Sequence, residues 1–243
     1  MIKIENVEVV GWEAAIRGMR NPMNSWEKSD SRYVCHEYNK LSDDNHKVYL
    51  VDNYIPGSND LDLMTRLRNA GTDHRKFMRM ITVYADITAP LYWWKQCDQY
   101  KVGTTTDSCS TMHKIQAKEF TLDDFSHEHL LSGKGFKLVY DDCNPDREVD
   151  FHLRMASHQL LELIINTLNY YRKIFLETND KKYWWQLIQL LPSSYNQRRT
   201  IMLNYEVLAN IYKSRKGHRL DEWKTMLDWI ETLPYSDLIT GGK

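Results

Sequence analysis

The chain has 243 residues and a mass of 29.0 kDa, enough for one large or two small domains that build a core without metal or disulfide staples. Its 32 Lys and Arg against 33 Asp and Glu give a formal charge of -1, which excludes a basic field for gripping nucleic acid and an acidic disordered tail. A hydrophobic content of 42% with only 10 Gly and 6 Pro excludes disordered and collagen-like chains.

The elements follow in chain order. Residues 2–10, IKIENVEVV, are rich in β-branched side chains and read as a strand. WEAAIRGMR at 12–20 reads as a helix stopped by the Asn-Pro at 21–22. The stretch 24–60 is polar and turn-rich, with one strand-like piece, KVYLVD, at 47–52. Leu63, Leu67 and Ala70 fall at helical spacing, and Gly71 is a good C-terminal stop. In FMRMITVYADI at 77–87, Ile81, Val83, Ala85 and Ile87 alternate onto one face of a strand. Pro90 breaks it, and LYWWKQCDQY begins a short helix.

Residues 103–112, GTTTDSCSTM, read as a polar loop, and 121–135 as a second polar stretch. GFKLVY at 135–140 reads as a strand. Residues 151–176 carry the longest helical pattern, from Leu153 through Leu160, Leu161, Ile164, Ile165 and Leu168 to Ile174. YWWQLIQLL is a second helix running into Pro192, a third spans 198–215, and a fourth 219–233. A few strands in the first half and long helices in the second predict one α+β domain over residues 1–243.

Four cysteines stand at 35, 97, 109 and 143 with no CxxC spacing, and are expected as reduced thiols in a cytoplasmic protein. The N-terminal residues do not follow a secretory pattern, and no apolar run approaches a membrane span. Asp123, Asp124, His127, Glu128 and His129 lack the spacing that sets two imidazoles on one helix face, so they read as a solvated polar loop and no metal is expected. No serine nucleophile elbow, dinucleotide glycine motif or phosphate-binding glycine loop is present. The paired tryptophans Trp93–Trp94 and Trp184–Trp185, part of a total of 8 Trp and 15 Tyr, read as core and subunit-contact residues. Along the 198–215 helix, Asn204, Leu208, Ile211 and Arg215 lie on one stripe, with Arg198 and Arg199 near its start. Arginine's planar donor fork suits a phosphate or a pyrimidine edge, and ion pairs with Asp221 or Glu222 account for the same residue equally well.

Three stretches, in order, carry a resemblance to a known family. They are LMTRLRNAG with FMRMITVYADITAPLYWWKQ at 63–96, KVGTTTDSCSTM at 101–112, and LPSSYNQRRTIMLNYEVLANIYKSRKGHRLDEW at 191–223. In these the chain resembles the flavin-dependent thymidylate synthases, the ThyX family. The resemblance implies a ThyX-like α+β domain with a small, mostly antiparallel sheet and long helices. It also implies an enzyme that transfers a one-carbon unit to C5 of dUMP or a related pyrimidine nucleotide, with reduced flavin and methylenetetrahydrofolate, in a homotetramer. Position by position, Arg215 matches the arginine that holds the pyrimidine and helps ionise its N3, and Gln96 the glutamine that contacts the nucleotide. Asp107 stands for a family glutamate, and Ser108 and Ser110 flank the phosphate-binding serine. Arg198 and Arg199 are the further candidates for the phosphate. Asn204 and Asn210 match two flavin-contacting asparagines.

The chain also departs from that pattern. The arginine–histidine–arginine signature reads Gln99–Tyr100–Lys101, Met78 is nearest to the position of a flavin-contacting histidine, and Glu206 replaces an arginine. Tyr100 and Lys101 are left to serve the cofactor, and FAD is expected to be held weakly. The second expectation is a non-catalytic nucleotide-binding or structural oligomer that keeps the fold.

Overall fold

The computed structural model describes residues 2–34, 50–51, 53–133, 136–140 and 151–242. They group into two compact units. The first draws on Met1–Ala89, Trp93–Ser108 and Arg198–Lys243, and the second on Pro90–Tyr92 and Cys109–Gln197.

The strands are β1 Lys3–Val10, β2 Arg32–Tyr33, β3 Leu50–Val51, β4 Tyr54–Ile55, β5 Thr82–Pro90, β6 Thr105–Ser108, β7 Phe136–Tyr140, β8 Phe151–Met155 and β9 Asn196–Asn204. The helices are α1 Trp12–Arg20, α2 Ser58–Asn69, α3 Leu91–Cys97, α4 Ser157–Thr178, α5 Lys181–Leu190, α6 Tyr205–Arg215, α7 Asp221–Glu231 and α8 Asp237–Thr240. Five strands form a sheet in the order β3-β1-β5-β9-β6. β1 runs antiparallel to β5 and β6 antiparallel to β9, while β1 and β3 are parallel. The result is the expected α+β fold, a small and mostly antiparallel sheet with long helices.

Alternation on β5 works as read: Ile81, Val83, Ala85 and Ile87 are all buried, although the strand begins only at Thr82 and 76–79 form a 3-10 turn. Gly11 makes the join from β1 to α1. Its φ of 97° is left-handed, and a Cβ there would meet the Met80 carbonyl oxygen at 2.2 Å, so only glycine fits. Gly71, at φ 112°, follows the end of α2 as expected.

In the second unit α4 and α5 pack through Leu161, Ile165, Leu168 and Leu187 onto Ile115, Phe120 and Phe125. Asn169 ties the loop to α4 by accepting from the Phe120 N–H at 2.8 Å and donating to its carbonyl at 2.9 Å. Asp124 closes a capping box with Thr121, its carboxylate taking the Thr121 N–H at 2.8 Å. Among the described residues no cluster of His, Cys, Asp and Glu can hold a metal ion, and no helix is long and apolar enough to cross a membrane.

Three expectations are corrected. The 198–215 helix is a strand followed by a helix: Ile201 and Leu203 alternate inward while Arg198 and Thr200 face out, so β9 runs to Asn204 before α6 starts. Arg198 and Arg199 therefore sit on a sheet, not at a helix start. The polar loop at 103–112 contains β6, whose backbone pairs with β9 although its side chains are exposed. The 151–176 helix begins only at Ser157, because Phe151–Met155 pair with Phe136–Tyr140. The strand-like piece at 47–52 is described only at Leu50 and Val51, and Gly135 lies outside the described residues.

Candidate nucleotide site

Three helices of the first unit supply one cluster of side chains. Pro90 precedes α3, a helix that buries Trp93, Trp94 and Cys97 and leaves Gln96 half-buried. Asn204 caps α6, its Oδ1 accepting from the Val207 N–H at 3.0 Å. Arg215 is the last residue of α6, where a cation is favoured by the helix dipole. Trp223, fully buried, lies in the first turn of α7.

These elements bring Arg215 and Gln96 together. Arg215 Nη1 donates to Gln96 Oε1 at 3.4 Å, and its Nε donates to the Tyr100 hydroxyl at 2.8 Å. The guanidinium lies 4.5 Å from the Trp223 ring centroid and 5.3 Å from that of Tyr100, within cation–π range. Trp223 Nε1 donates to Gln96 Oε1 at 2.8 Å. The arginine is thus held on two sides by rings and on two by hydrogen bonds.

Beside Tyr100 is a cavity of about 130 Å³ lined by Cys97, Asp98, Tyr100, Lys101, Thr104, Thr106 and Ile201. Thr104 Oγ1 is buried without a hydrogen-bond partner among the described residues. Burial pushes the Cys97 thiol up to about 12, with Asp98 adding to the shift. A wider cleft, of about 750 Å³, lies between Arg20, Lys28, Asp30 and Arg66. Its Arg20 is engaged by Asp60 at 2.6 Å and by the Lys28 carbonyl at 3.1 Å.

The remaining candidates are more scattered. Arg198 Nη2 bonds Asp86 at 2.7 Å, and Thr200 and Asn6 donate to the same carboxylate at 2.6 and 2.7 Å. These three donors hold Asp86 down at about 2, with Thr200 the largest cause. Arg199 Nη1 bonds Asp98 at 2.7 Å and its guanidinium lies 4.3 Å above the Trp94 ring. Both arginines are engaged by their own chain. Asp107 and Ser108 are exposed on β6, in register with Thr200 and Arg199. Ser110 belongs to the second unit and is taken up locally, bonding His113 Nδ1 at 2.9 Å.

On the cofactor side, the Asn204 amide is spent on the α6 cap and on the Gly103 carbonyl at 3.4 Å. Asn210 and Lys101 are exposed. Glu206 is buried and paired with Arg75 at 2.8 Å, so the carboxylate at this position is neutralised within the chain. Met78 is fully buried and serves as core.

Trp223 and Ser214 carry no motif and escape a reading of sequence alone. Two signals in the sequence bear on Trp223: it sits at the third position of a helix that buries one face, and two more tryptophans precede Gln96.

No family model matches the sequence, and no curated protein matches it. Solved structures do. The flavin-dependent thymidylate synthase ThyX of Helicobacter pylori, complexed with FAD and dUMP, aligns with a TM-score of 0.60 at 14% identity, covering 98% of this chain and 97% of that one. The fold is that of ThyX. A second structure of the Helicobacter pylori enzyme with FAD and dUMP aligns with the same score and identity over 99% and 97% of the two chains. A UMP/dUMP methylase, PolB from Streptomyces cacaoi bound with 5-Br dUMP, gives a TM-score of 0.54 at 13% identity over 99% of this chain and 95% of that one.

Proposed function

We propose that this chain is a ThyX-like enzyme that binds a pyrimidine nucleotide, dUMP or a relative, and transfers a one-carbon unit to its C5. The observation that carries the reading is the convergence of Arg215 and Gln96 on one another from α6 and α3. A guanidinium fixed between two rings is suited to stabilising negative charge on a pyrimidine, because its donors are in place before the charge develops. Gln96 adds an amide to orient the ring. Residues 1–243 act as one ThyX-like domain and assemble as a homotetramer in the cytoplasm. Methylenetetrahydrofolate would supply the carbon, and a reduced flavin, when bound, the electrons.

The described residues fit FAD poorly. A pyrophosphate calls for arginines or backbone amides, whereas here Lys101 is the one cation of the altered signature, Tyr100 is bound to Arg215, and Asn204 is bound to the backbone. The flavin is accordingly a loosely held partner. The same observation supports a second reading, a non-catalytic protein that binds the nucleotide and keeps the fold.

Substitution at C5 must expel the hydrogen already there. Incubating the protein with dUMP tritiated at C5, methylenetetrahydrofolate, FAD and a reductant should release tritium to water. Release that depends on the folate supports the transferase. Nucleotide binding without release supports the non-catalytic reading, and no binding of any pyrimidine nucleotide contradicts both.

A further inference from the structure

α4 is apolar on two faces, and its own core needs only one of them. Leu161, Ile165 and Leu168 point into the core of the second unit. At the helical turn of about 100° per residue, Leu163, Thr167, Tyr170 and Ile174 run down the opposite side, with Leu160 at its edge. Leu160 is 37% exposed, Leu163 49% and Tyr170 61%. Their alternating spacing of three and four residues is the one by which a helix seats against another helix. Thr167 spends its hydroxyl inside the helix, donating to the Leu163 carbonyl at 2.8 Å. It can therefore be covered by a partner without losing a hydrogen bond.

The pattern is symmetric about Thr167. Leu160 and Ile174 stand seven residues to either side of it, and Leu163 and Tyr170 four and three. Along one flank, Glu162 and Lys173 stand five and six residues away, both exposed. Laid antiparallel on itself across a two-fold axis at Thr167, this face complements itself. Leu160 meets Ile174, Leu163 meets Tyr170, and Glu162 comes level with Lys173, its opposite in charge. A parallel pair would instead set Glu162 against Glu162 and Lys173 against Lys173, which repel.

We propose that the exposed face of α4 is the surface by which this chain pairs with a second copy of itself, antiparallel and centred on Thr167. The inference rests on the self-association proposed above and not on the nucleotide site.

Cysteine cross-linking of the full chain tests the register. Paired helix axes about 8–10 Å apart bring the two copies of residue 167 within disulfide reach, whereas the two copies of residue 173 lie about 18 Å apart along the axis. On mild oxidation, Thr167→Cys should form a linked dimer at least about tenfold faster than Lys173→Cys or the wild type, read on a non-reducing gel. Light scattering at micromolar concentration should report two or more chains for the wild type. Leu163→Glu puts a charge into the seam and should weaken association by about tenfold or more. Its far-ultraviolet circular dichroism should stay that of the wild type; if it does not, the cross-linking decides alone. A wild-type monomer overturns the proposal and the homotetramer with it. An assembly in which Thr167→Cys links no faster than Lys173→Cys, or which a folded Leu163→Glu leaves intact, overturns the α4 contact and leaves the homotetramer standing.

Discussion

Arg215 Nε donates to the hydroxyl of Tyr100 at 2.8 Å, joining the last residue of α6 to the segment that follows α3. Tyr100 occupies the position where the ThyX resemblance has a histidine, and here it holds the arginine through one oxygen while its ring lies 5.3 Å from the guanidinium. Removing that hydroxyl by Tyr100→Phe takes away one charge-assisted bond, about 1.5–3 kcal/mol when well shielded and less at this half-buried position. Nucleotide affinity should fall by about threefold to tenfold, with the thermal midpoint nearly unchanged because the ring stays packed. Titration calorimetry alongside a melting curve checks both; unaltered affinity would mean that Tyr100 does not position Arg215.

Flavin should be lost on purification. Gln99 and Lys101 are both exposed, so Gln99→Arg and Lys101→Arg restore two planar donor forks without disturbing the core. The double variant should bind FAD at least about tenfold more tightly than the wild type. Absorbance of the protein peak in gel filtration reads the outcome. A wild type that already emerges yellow with one flavin per chain contradicts weak binding, and no gain in the double variant contradicts the placement of the signature.

Asp86 makes part of the stability acid-sensitive. Its folded pKa lies at about 2 against an ordinary 3.8, because Thr200, Asn6 and Arg198 all bond the ionised form. A lowered pKa stabilises the folded state at pH values above the ordinary one, and that stabilisation is lost as pH falls from about 4 towards 2. Asp86→Asn removes this contribution. The difference between wild-type and variant urea midpoints should be constant from pH 7 to about 5 and shrink below pH 4. A difference that stays constant down to pH 3 would mean that Asp86 titrates normally.

The two described cysteines should differ in reactivity. Cys97 is buried with its thiol pushed up to about 12, whereas Cys109 is exposed. Alkylation by iodoacetamide at pH 8, followed by peptide mass mapping, should label Cys109 at least about tenfold faster than Cys97, since the thiolate is the nucleophile. Equal labelling would show that the α3 end opens readily.

The fold was legible wherever one face is buried and the other wet. β5 and α7 follow their periodicity closely, and Gly71 ends α2 where a glycine should. The reading failed at junctions. Residues 198–215 carry apolar side chains compatible with a helix, and nothing local marks Asn204 as the cap that divides strand from helix until its Oδ1 is seen on the Val207 N–H. β6 is a strand by backbone pairing alone, because its exposed threonines leave no apolar alternation. Of the candidate site, Arg215 and Gln96 were named through the ThyX resemblance, and the structure brings them into contact. Trp223 was not found, since its part depends on a hydrogen bond across 127 residues of sequence that no spacing encodes.

The central claim, that Arg215 and Gln96 form a pyrimidine-nucleotide site, is tested most directly by calorimetric titration of dUMP into the wild type and Arg215→Ala. A charge-assisted bond from a half-buried arginine predicts binding to the wild type and a loss of about tenfold or more in the variant. Equal affinity in the two proteins, or no heat from either at millimolar nucleotide, would contradict the account.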